Sequence, residues 1–156
     1  MEELKISTKI QVYNYNELNF VEKNLINVAK DAVKRAYAPY SRFQVGAAVL
    51  LTNQEIISGS NQENAAFPSG LCAERTTLFY ANSRFPDTAV DAIAVAAYTE
   101  GDFTDDPVTP CGACRQVILE TQIRYQHPVR ILLYGKKAVY VIEQITDLLP
   151  LAFGTF

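Results

Sequence analysis

The chain has 156 residues, of which 49% are hydrophobic and 20% are charged, and its formal net charge is −3. This length predicts a single domain over residues 1–156 with a sizeable apolar core. The acidic balance, without a cluster of Lys or Arg, argues against a phosphate backbone as partner, so we expect no binding to nucleic acid. We also expect no membrane partner and no export, because no stretch of about 18 apolar residues and no basic N-terminal start is present.

The first third of the chain contains an extension, a helix and a hairpin. Residues 1–16 form an N-terminal extension whose alternating apolar side chains predict either an added strand or an interface arm. Apolar residues at helical spacing predict a helix over 17–36 that ends before Pro39. Two runs of strand-forming residues, 43–51 and 55–62, flank a polar turn and predict a β-hairpin.

Strands and helices alternate along the rest of the chain. The predicted elements are a helix over 72–81, a strand over 90–98, a helix over 111–125, strands over 129–134 and 139–142, and a short helix ending at Leu149. The segment 99–109 is acidic and contains Gly and Pro, which predicts a surface loop. This order predicts an α/β fold, with one mixed sheet of about five strands in a three-layer α/β/α arrangement.

All three cysteines fall in two short motifs. Cys72 lies two residues before Glu74, and Cys111 and Cys114 are three residues apart, so they share one face of a helix's first turn. A catalytic zinc takes three protein ligands and keeps a position open for water, whereas a structural zinc takes four. We therefore predict a zinc site made by the three cysteines. Glu74 is then available for proton transfer, although a Glu in a first turn is commonly just solvated.

An arginine directly follows each motif. Arg75 comes after Glu74, and Arg115 comes after Cys114. Three thiolates give the zinc centre a net charge of −1, which weakens its ability to acidify a bound water. A guanidinium that hydrogen-bonds thiolate sulfurs would withdraw some of this charge, and this is the role we predict for both arginines. The alternative is that they are solvent-facing helix residues. Cysteines with metal spacing suit a reducing cytoplasm, where we expect the protein.

Five segments of the chain resemble, in order, the motifs of cytidine deaminase in its small three-cysteine form. They are AYAPYSRFQVGAA at 36–48, NQENAAFP at 61–68, LCAERTT at 71–77, PCGACRQV at 110–117 and LLPLAF at 148–153. A Cys two residues before a Glu, followed by Pro-Cys-x-x-Cys, is also the signature of zinc deaminases. The resemblance implies a zinc-dependent hydrolase that converts cytidine and deoxycytidine to uridine and deoxyuridine. It further implies one Zn²⁺ per subunit and a homotetramer with shared active sites.

The same resemblance assigns residues that contact the substrate. Asn61 and Glu63 match the Asn-x-Glu that holds the ribose hydroxyls, and alternate strand positions would point both side chains the same way. Phe43 matches a Phe near the pyrimidine, and Ala73 falls at the substrate site. Phe153 matches a C-terminal Phe that reaches a neighbouring subunit's base. Without the resemblance, the polar pair would pass as a strand end and the aromatic residues as packed side chains.

Three other functions fit the sequence less well. Phe67 stands where family members often carry Tyr, so a sugar contact that needs that hydroxyl is in question. A deaminase of another aminopyrimidine nucleoside, such as a nucleoside antibiotic, is one alternative, against which the Asn61 and Glu63 pair argues only moderately. A polynucleotide deaminase is disfavoured by the negative charge. A non-catalytic, zinc-stabilised interaction module would need a fourth ligand. His127 is the single histidine, and we expect it in a surface loop instead.

Overall fold

The computed structural model describes residues 1–154, in which helices cover both faces of one seven-stranded sheet. The strands are β1 (Gln11–Tyr13), β2 (Gln44–Leu51), β3 (Ile56–Ser60), β4 (Val90–Thr99), β5 (Asp102–Phe103), β6 (Arg130–Tyr134) and β7 (Val139–Ile142). The helices are α1 (Phe20–Ala32), α2 (Ala73–Arg84) and α3 (Gly112–Tyr125). Among the helices of residues 1–154, none is both long enough and apolar enough to cross a bilayer.

The sheet is mixed, with the order β1-β7-β6-β4-β2-β3, and β5 pairs with the end of β4. β4 and β6 are parallel, and the other neighbours are antiparallel. Side chains alternate across the sheet: Ala47 and Val49 of β2 face the core under α2 and α3, whereas Ala48 and Leu50 face α1. This arrangement confirms the predicted α/β fold and its three layers.

The predicted count of about five strands is too low, because the sequence prediction did not include the short strands β1 and β5. β1 comes from the N-terminal extension and pairs with the edge of β7, where Gln11 lies opposite Val141. β5 lies in the segment predicted as a loop, where the Phe103 ring packs against Tyr98 and Tyr134 at 5.3 and 5.8 Å between centroids. Both strands depend on partners outside their own local pattern, which short-range periodicity does not reveal.

α1 starts three residues later than predicted because a local capping pattern fixes its first turn. The Asn19 side chain accepts a hydrogen bond from the Glu22 amide at 2.9 Å, and the Glu22 carboxylate accepts one from the Asn19 amide at 3.0 Å. α1 lies very close to β2: a Cβ added to Gly46 would come within 2.1 Å of the Ala29 carbonyl oxygen. Only glycine therefore fits at this crossing.

The ends of the chain differ from the sequence prediction. The predicted helix ending at Leu149 is a single 3₁₀ turn, Ile145–Asp147. Pro150 comes shortly afterwards and cannot donate a helical hydrogen bond, which explains the early stop. At the other end, residues 1–10 form neither helix nor strand, and all ten are exposed. The strand interpretation of the extension thus holds for residues 11–13.

Candidate active site

The first turns of α2 and α3 bring the three cysteines together. Cys72 and Cys111 are the N-cap residues of α2 and α3, and neither side chain caps its own helix. Their sulfur atoms instead lie 3.9 Å from each other. Cys114 lies in the first turn of α3 and is fully buried. The N-cap position has an extended backbone, so each cysteine can turn its sulfur away from its own helix and toward the other one.

The donor set fits a zinc ion. The Sγ atoms of Cys72, Cys111 and Cys114 all lie within 4.8 Å of one another. A tetrahedral zinc with Zn–S bonds of about 2.3 Å needs sulfurs about 3.8 Å apart, so small adjustments suffice. Among residues 1–154, the cluster has three ligand groups and no fourth from His, Cys, Asp or Glu. His127 lies elsewhere, at 3.0 Å from the Asp91 carboxylate.

Positive charge surrounds the sulfur cluster. The N-termini of α2 and α3, which carry partial positive charge, both lie at the cluster. Arg75 Nη2 also donates to the Cys72 sulfur at 3.6 Å. A hydrogen bond from the Cys114 thiol, together with Arg75, lowers the pKa of Cys72 to about 5. The pKa of Cys114 is raised because its proton is shared with the Cys72 thiolate. A bound metal would replace these protons, since metal-ligating cysteines are deprotonated.

Glu74 lies beside the sulfur cluster without joining it. Its side chain is only 5% exposed, in the first turn of α2. Burial raises the pKa of Glu74, and the negative charge of Cys72 raises it further. A buried carboxyl group with a raised pKa beside a cluster of ligand atoms is a candidate for proton transfer. The position is therefore suited to general acid–base catalysis.

A cleft of about 520 Å³ opens next to Cys72 and Arg75. Its lining is completed by Tyr40, Ser41, Asn61, Gln62, Glu63, Asn64, Phe67, Gly70 and Leu71. The predicted pair Asn61 and Glu63 thus lies in the same cleft as a predicted zinc ligand. The rings of Tyr40 and Phe67, whose contact no sequence pattern indicates, meet edge-to-face at 5.8 Å between centroids.

The side chains of Asn61 and Glu63 also shape the cleft. Asn61 Nδ2 donates to the Phe43 carbonyl at 2.8 Å, and the Val45 amide donates to Asn61 Oδ1 at 2.8 Å. Glu63 Oε2 accepts from the Tyr40 amide at 2.8 Å. Sequence patterns carry no sign of these bonds. The amide and carboxylate retain further donor and acceptor sites for a ligand.

The remaining predicted substrate contacts have different surroundings. Phe43 is half-buried, and its carbonyl is held by Asn61. Ala73 is fully buried, and its carbonyl accepts a bond from the Thr77 hydroxyl at 2.7 Å. Phe153 is 71% exposed, and its carbonyl accepts a bond from Gln116 at 2.7 Å. Of these three residues, none belongs to the lining of the cleft formed by the described chain.

Arg115 is half-buried, and two of its guanidinium nitrogens bind backbone oxygens. Its Nε donates to the Pro110 carbonyl at 2.8 Å, and its Nη1 donates to the Leu148 carbonyl at 2.7 Å. The expectation of bonds to sulfur is corrected for these two atoms, because the chain after the last 3₁₀ turn supplies nearer oxygen acceptors. Arg75, in contrast, lies as predicted beside the Cys72 sulfur.

The geometry agrees with comparisons to known proteins. A family model described as the cytidine and deoxycytidylate deaminase zinc-binding region matches residues 21–126. A cytidine deaminase of Halalkalibacterium halodurans is 44% identical over 131 residues, which cover 83% of this chain and 91% of the relative. The crystal structure of cytidine deaminase from Burkholderia pseudomallei is 41% identical, with a TM-score of 0.71, and the match covers 83% of this chain and 97% of that one. The enzyme structure from Mycobacterium tuberculosis is 33% identical, with a TM-score of 0.66, over 85% and 96% of the two chains. The chain therefore belongs to the cytidine and deoxycytidylate deaminase family.

Proposed function

We propose that this protein hydrolytically deaminates cytidine and deoxycytidine, giving uridine and deoxyuridine with release of ammonia. The observation that carries the proposal is the buried Glu74 beside three converging cysteine sulfurs, with a cleft at Cys72. The names of the similar proteins support the same activity. The three cysteines form no disulfide in the described chain, which suits a reducing compartment and supports a cytoplasmic location.

Cys72, Cys111 and Cys114 would hold one Zn²⁺ per chain. When bound, such an ion supplies Lewis-acid chemistry that lowers the pKa of water and provides a nucleophile at neutral pH. The three-ligand set within residues 1–154 favours this use over a closed structural site with four ligands. It also disfavours a non-catalytic interaction module, since His127 is engaged with Asp91.

Glu74 moves the protons in the proposed reaction. Its carboxylate accepts a proton from the attacking water and delivers it to N3 of the pyrimidine, which makes C4 more electrophilic. Water oxygen adds at C4 as a hydroxyl, and Glu74 then carries the proton of this hydroxyl to the amino group, which leaves the oxygen to form the C4 carbonyl. The C4–N4 bond then breaks, and ammonia leaves. Arg75 keeps negative charge on the sulfurs low through its bond to Cys72.

Asn61 and Glu63 would bind the sugar hydroxyls and keep C4 within reach of water, with Phe43 and Ala73 beside the pyrimidine. The position of the polar pair in the cleft supports this assignment. Phe67 lines the same cleft and lacks the hydroxyl that family members often carry there. This substitution makes an altered sugar the specific alternative, as in a nucleoside antibiotic with an aminopyrimidine base. Steady-state kinetics on cytidine, deoxycytidine and such an analogue would rank the three substrates.

We further propose a homotetramer in which Phe153 completes the site of a neighbouring subunit. The exposed side chain of Phe153 supports this arrangement. Loss of the ring in Phe153→Ala should weaken cytidine binding by about 0.5–1.5 kcal/mol and leave zinc bound. Mixed tetramers of Glu74→Gln and Phe153→Ala chains should be more active than the average of the two parents. If exchanged mixtures, verified by native mass spectrometry, follow that average, Phe153 does not act across subunits.

The function itself is tested by incubating the zinc-loaded protein with cytidine and following uridine by chromatography and ammonia by a coupled assay. The two products should form in equal amounts. Glu74→Gln is the control for contaminating enzyme, because it should retain zinc and form neither product at a comparable rate. Uridine formation that is equal in both preparations, or absent from both, would reject the proposal.

A further inference from the structure

The C-terminal segment, defined as residues 148–154, runs along α3 and is attached to it at several points. Arg115 Nη1 donates to the Leu148 carbonyl at the start of the segment, and Gln116 Nε2 donates to the Phe153 carbonyl near its end, both at 2.7 Å. At Gly154 the backbone comes so close to α3 that an added Cβ would lie 3.0 Å from Cδ1 of Ile123. Two consecutive side chains of one helix therefore hold both ends of the segment.

These attachments hold the backbone and leave the large side chains outside. Leu151 and Phe153 are 75% and 71% exposed, so burial of their own side chains does little to hold the segment in place. The hydrogen bond that Gln116 gives to the Phe153 carbonyl is one of the contacts that set where the ring lies. Loss of that donor removes the side-chain bond that ties this end of the segment to α3, so it should widen the range of directions that the ring takes.

We propose that Gln116 is a positioning residue for substrate binding, which acts by holding Phe153 in the direction that a neighbouring active site needs. Arg115 holds the root of the same segment. Because its Nε also binds the Pro110 carbonyl, directly before Cys111, this guanidinium joins the segment to the metal-binding loop. The inference rests on the proposed function, since it gives Phe153 a role in binding the nucleoside.

A double-mutant cycle tests whether Gln116 acts through Phe153. Gln116→Met keeps the length of the side chain and removes the donor, and it should raise KM for cytidine by about two- to tenfold, as for one lost hydrogen bond. kcat should stay within about twofold, and zinc should remain bound. In a Phe153→Ala background, the same change should alter KM by less than about 1.5-fold, because the ring is already gone. Equal effects of Gln116→Met in both backgrounds would overturn the proposal.

A variant that restores the donor separates positioning from simple damage to the helix. Gln116→Lys places an ammonium group within reach of the Phe153 carbonyl, so it should return KM to within about twofold of the original value. Glu120→Ala, at an exposed site one turn further along α3, is the matched control and should leave KM unchanged. Arg115→Met should raise KM and also weaken zinc binding, because its two bonds serve both the segment and the metal-binding loop. A KM that stays raised in Gln116→Lys would contradict the hydrogen-bond role.

Fluorescence gives a readout that needs no activity. The sequence contains no Trp, so Phe153→Trp introduces a single tryptophan at the end of the segment. Adding Gln116→Met should lower the fluorescence anisotropy of that tryptophan, and adding Glu120→Ala should not. Unchanged anisotropy would refute the attachment whatever the kinetics show. An inactive original enzyme with a normal anisotropy response would instead reject the proposed function and the substrate-binding role of Phe153 with it.

Discussion

The first turns of α2 and α3 begin with the same residue type and differ in how deeply the next two residues are buried. Each helix is capped by a cysteine whose side chain does not bond to its own first turn, Cys72 for α2 and Cys111 for α3. After Cys72 the chain buries Ala73 and Glu74, whereas after Cys111 it exposes Gly112 and Ala113. The two residues that follow Cys72 are thus enclosed by this chain, whereas the two that follow Cys111 lie open at its surface.

This difference indicates how the roles are divided between the two helices. α2 supplies one sulfur, the buried carboxyl of Glu74 and the guanidinium of Arg75, all within its first turn. α3 supplies two sulfurs, and its next residues, Arg115 and Gln116, bind the C-terminal segment. Changes of Glu74 and Arg75 in α2 should therefore alter the rate with the metal retained, and changes in the first turn of α3 should alter metal binding and substrate binding.

The largest effect is expected where α2 buries its carboxyl. Glu74→Gln should lower kcat by about 10²–10⁴-fold or more, because one residue performs several proton transfers. The zinc content, measured by atomic absorption after gel filtration, should be unchanged. Loss of the metal in this variant would show that Glu74 is a ligand, and the division between the helices would then be wrong.

Removing a sulfur ligand from α3 should weaken zinc binding. Since the loss of a residue that only supports a ligand commonly costs about 10–100-fold in metal affinity, Cys111→Ser should weaken zinc binding by more than about 100-fold. Competition with a chromogenic chelator measures this change. Ala113→Ser, at an exposed position between the two cysteines, is the control and should keep the original affinity. Similar zinc affinities for the two variants would contradict the assignment of Cys111.

A smaller effect is expected from the guanidinium on α2. Arg75→Gln should lower kcat by about tenfold and keep the metal, because more negative charge then remains on the sulfurs and raises the pKa of the nucleophilic water. The group that must lose a proton would then titrate later, so the acidic limb of the pH–rate profile should move to higher pH. Arg84→Gln, at the exposed far end of α2, is the control. An unmoved profile would exclude this role for Arg75.

The smallest effect is expected on stability, from Gly112→Ala at an exposed glycine, and Gly46→Ala at an enclosed glycine is its comparison. A Cβ added to Gly112 meets no atom of the described chain within 4 Å, so Gly112→Ala should raise the free energy of unfolding by up to about 1 kcal/mol through helix propensity. Gly46→Ala, whose Cβ would strike the Ala29 carbonyl, should be strongly destabilised. Urea denaturation compares the two. A loss of stability in Gly112→Ala would contradict the open position of Gly112.

Helix starts and metal-ligand motifs can be predicted from the sequence, whereas side-chain hydrogen bonds between distant segments cannot. Helix starts and the spacing of Cys111 and Cys114 are local, and the zinc deaminase signature joins Cys72 to them across 39 residues and sets Glu74 apart. The bonds of Asn61 to β2 and of Arg115 to Leu148 join segments 16 and 33 residues apart. No periodicity encodes such pairs, because they depend on how packed elements happen to align.

Zinc-edge X-ray absorption on the metal-loaded protein tests the central claim most directly, namely that the three cysteines hold a zinc with one position left for water. We expect three sulfur neighbours at about 2.3 Å and one lighter atom at about 2.0 Å, with the same sulfur count in Glu74→Gln. Four sulfur or imidazole neighbours of the zinc would contradict this claim. So would a lighter neighbour that is lost in Glu74→Gln, because that neighbour would then be the Glu74 carboxylate and not water.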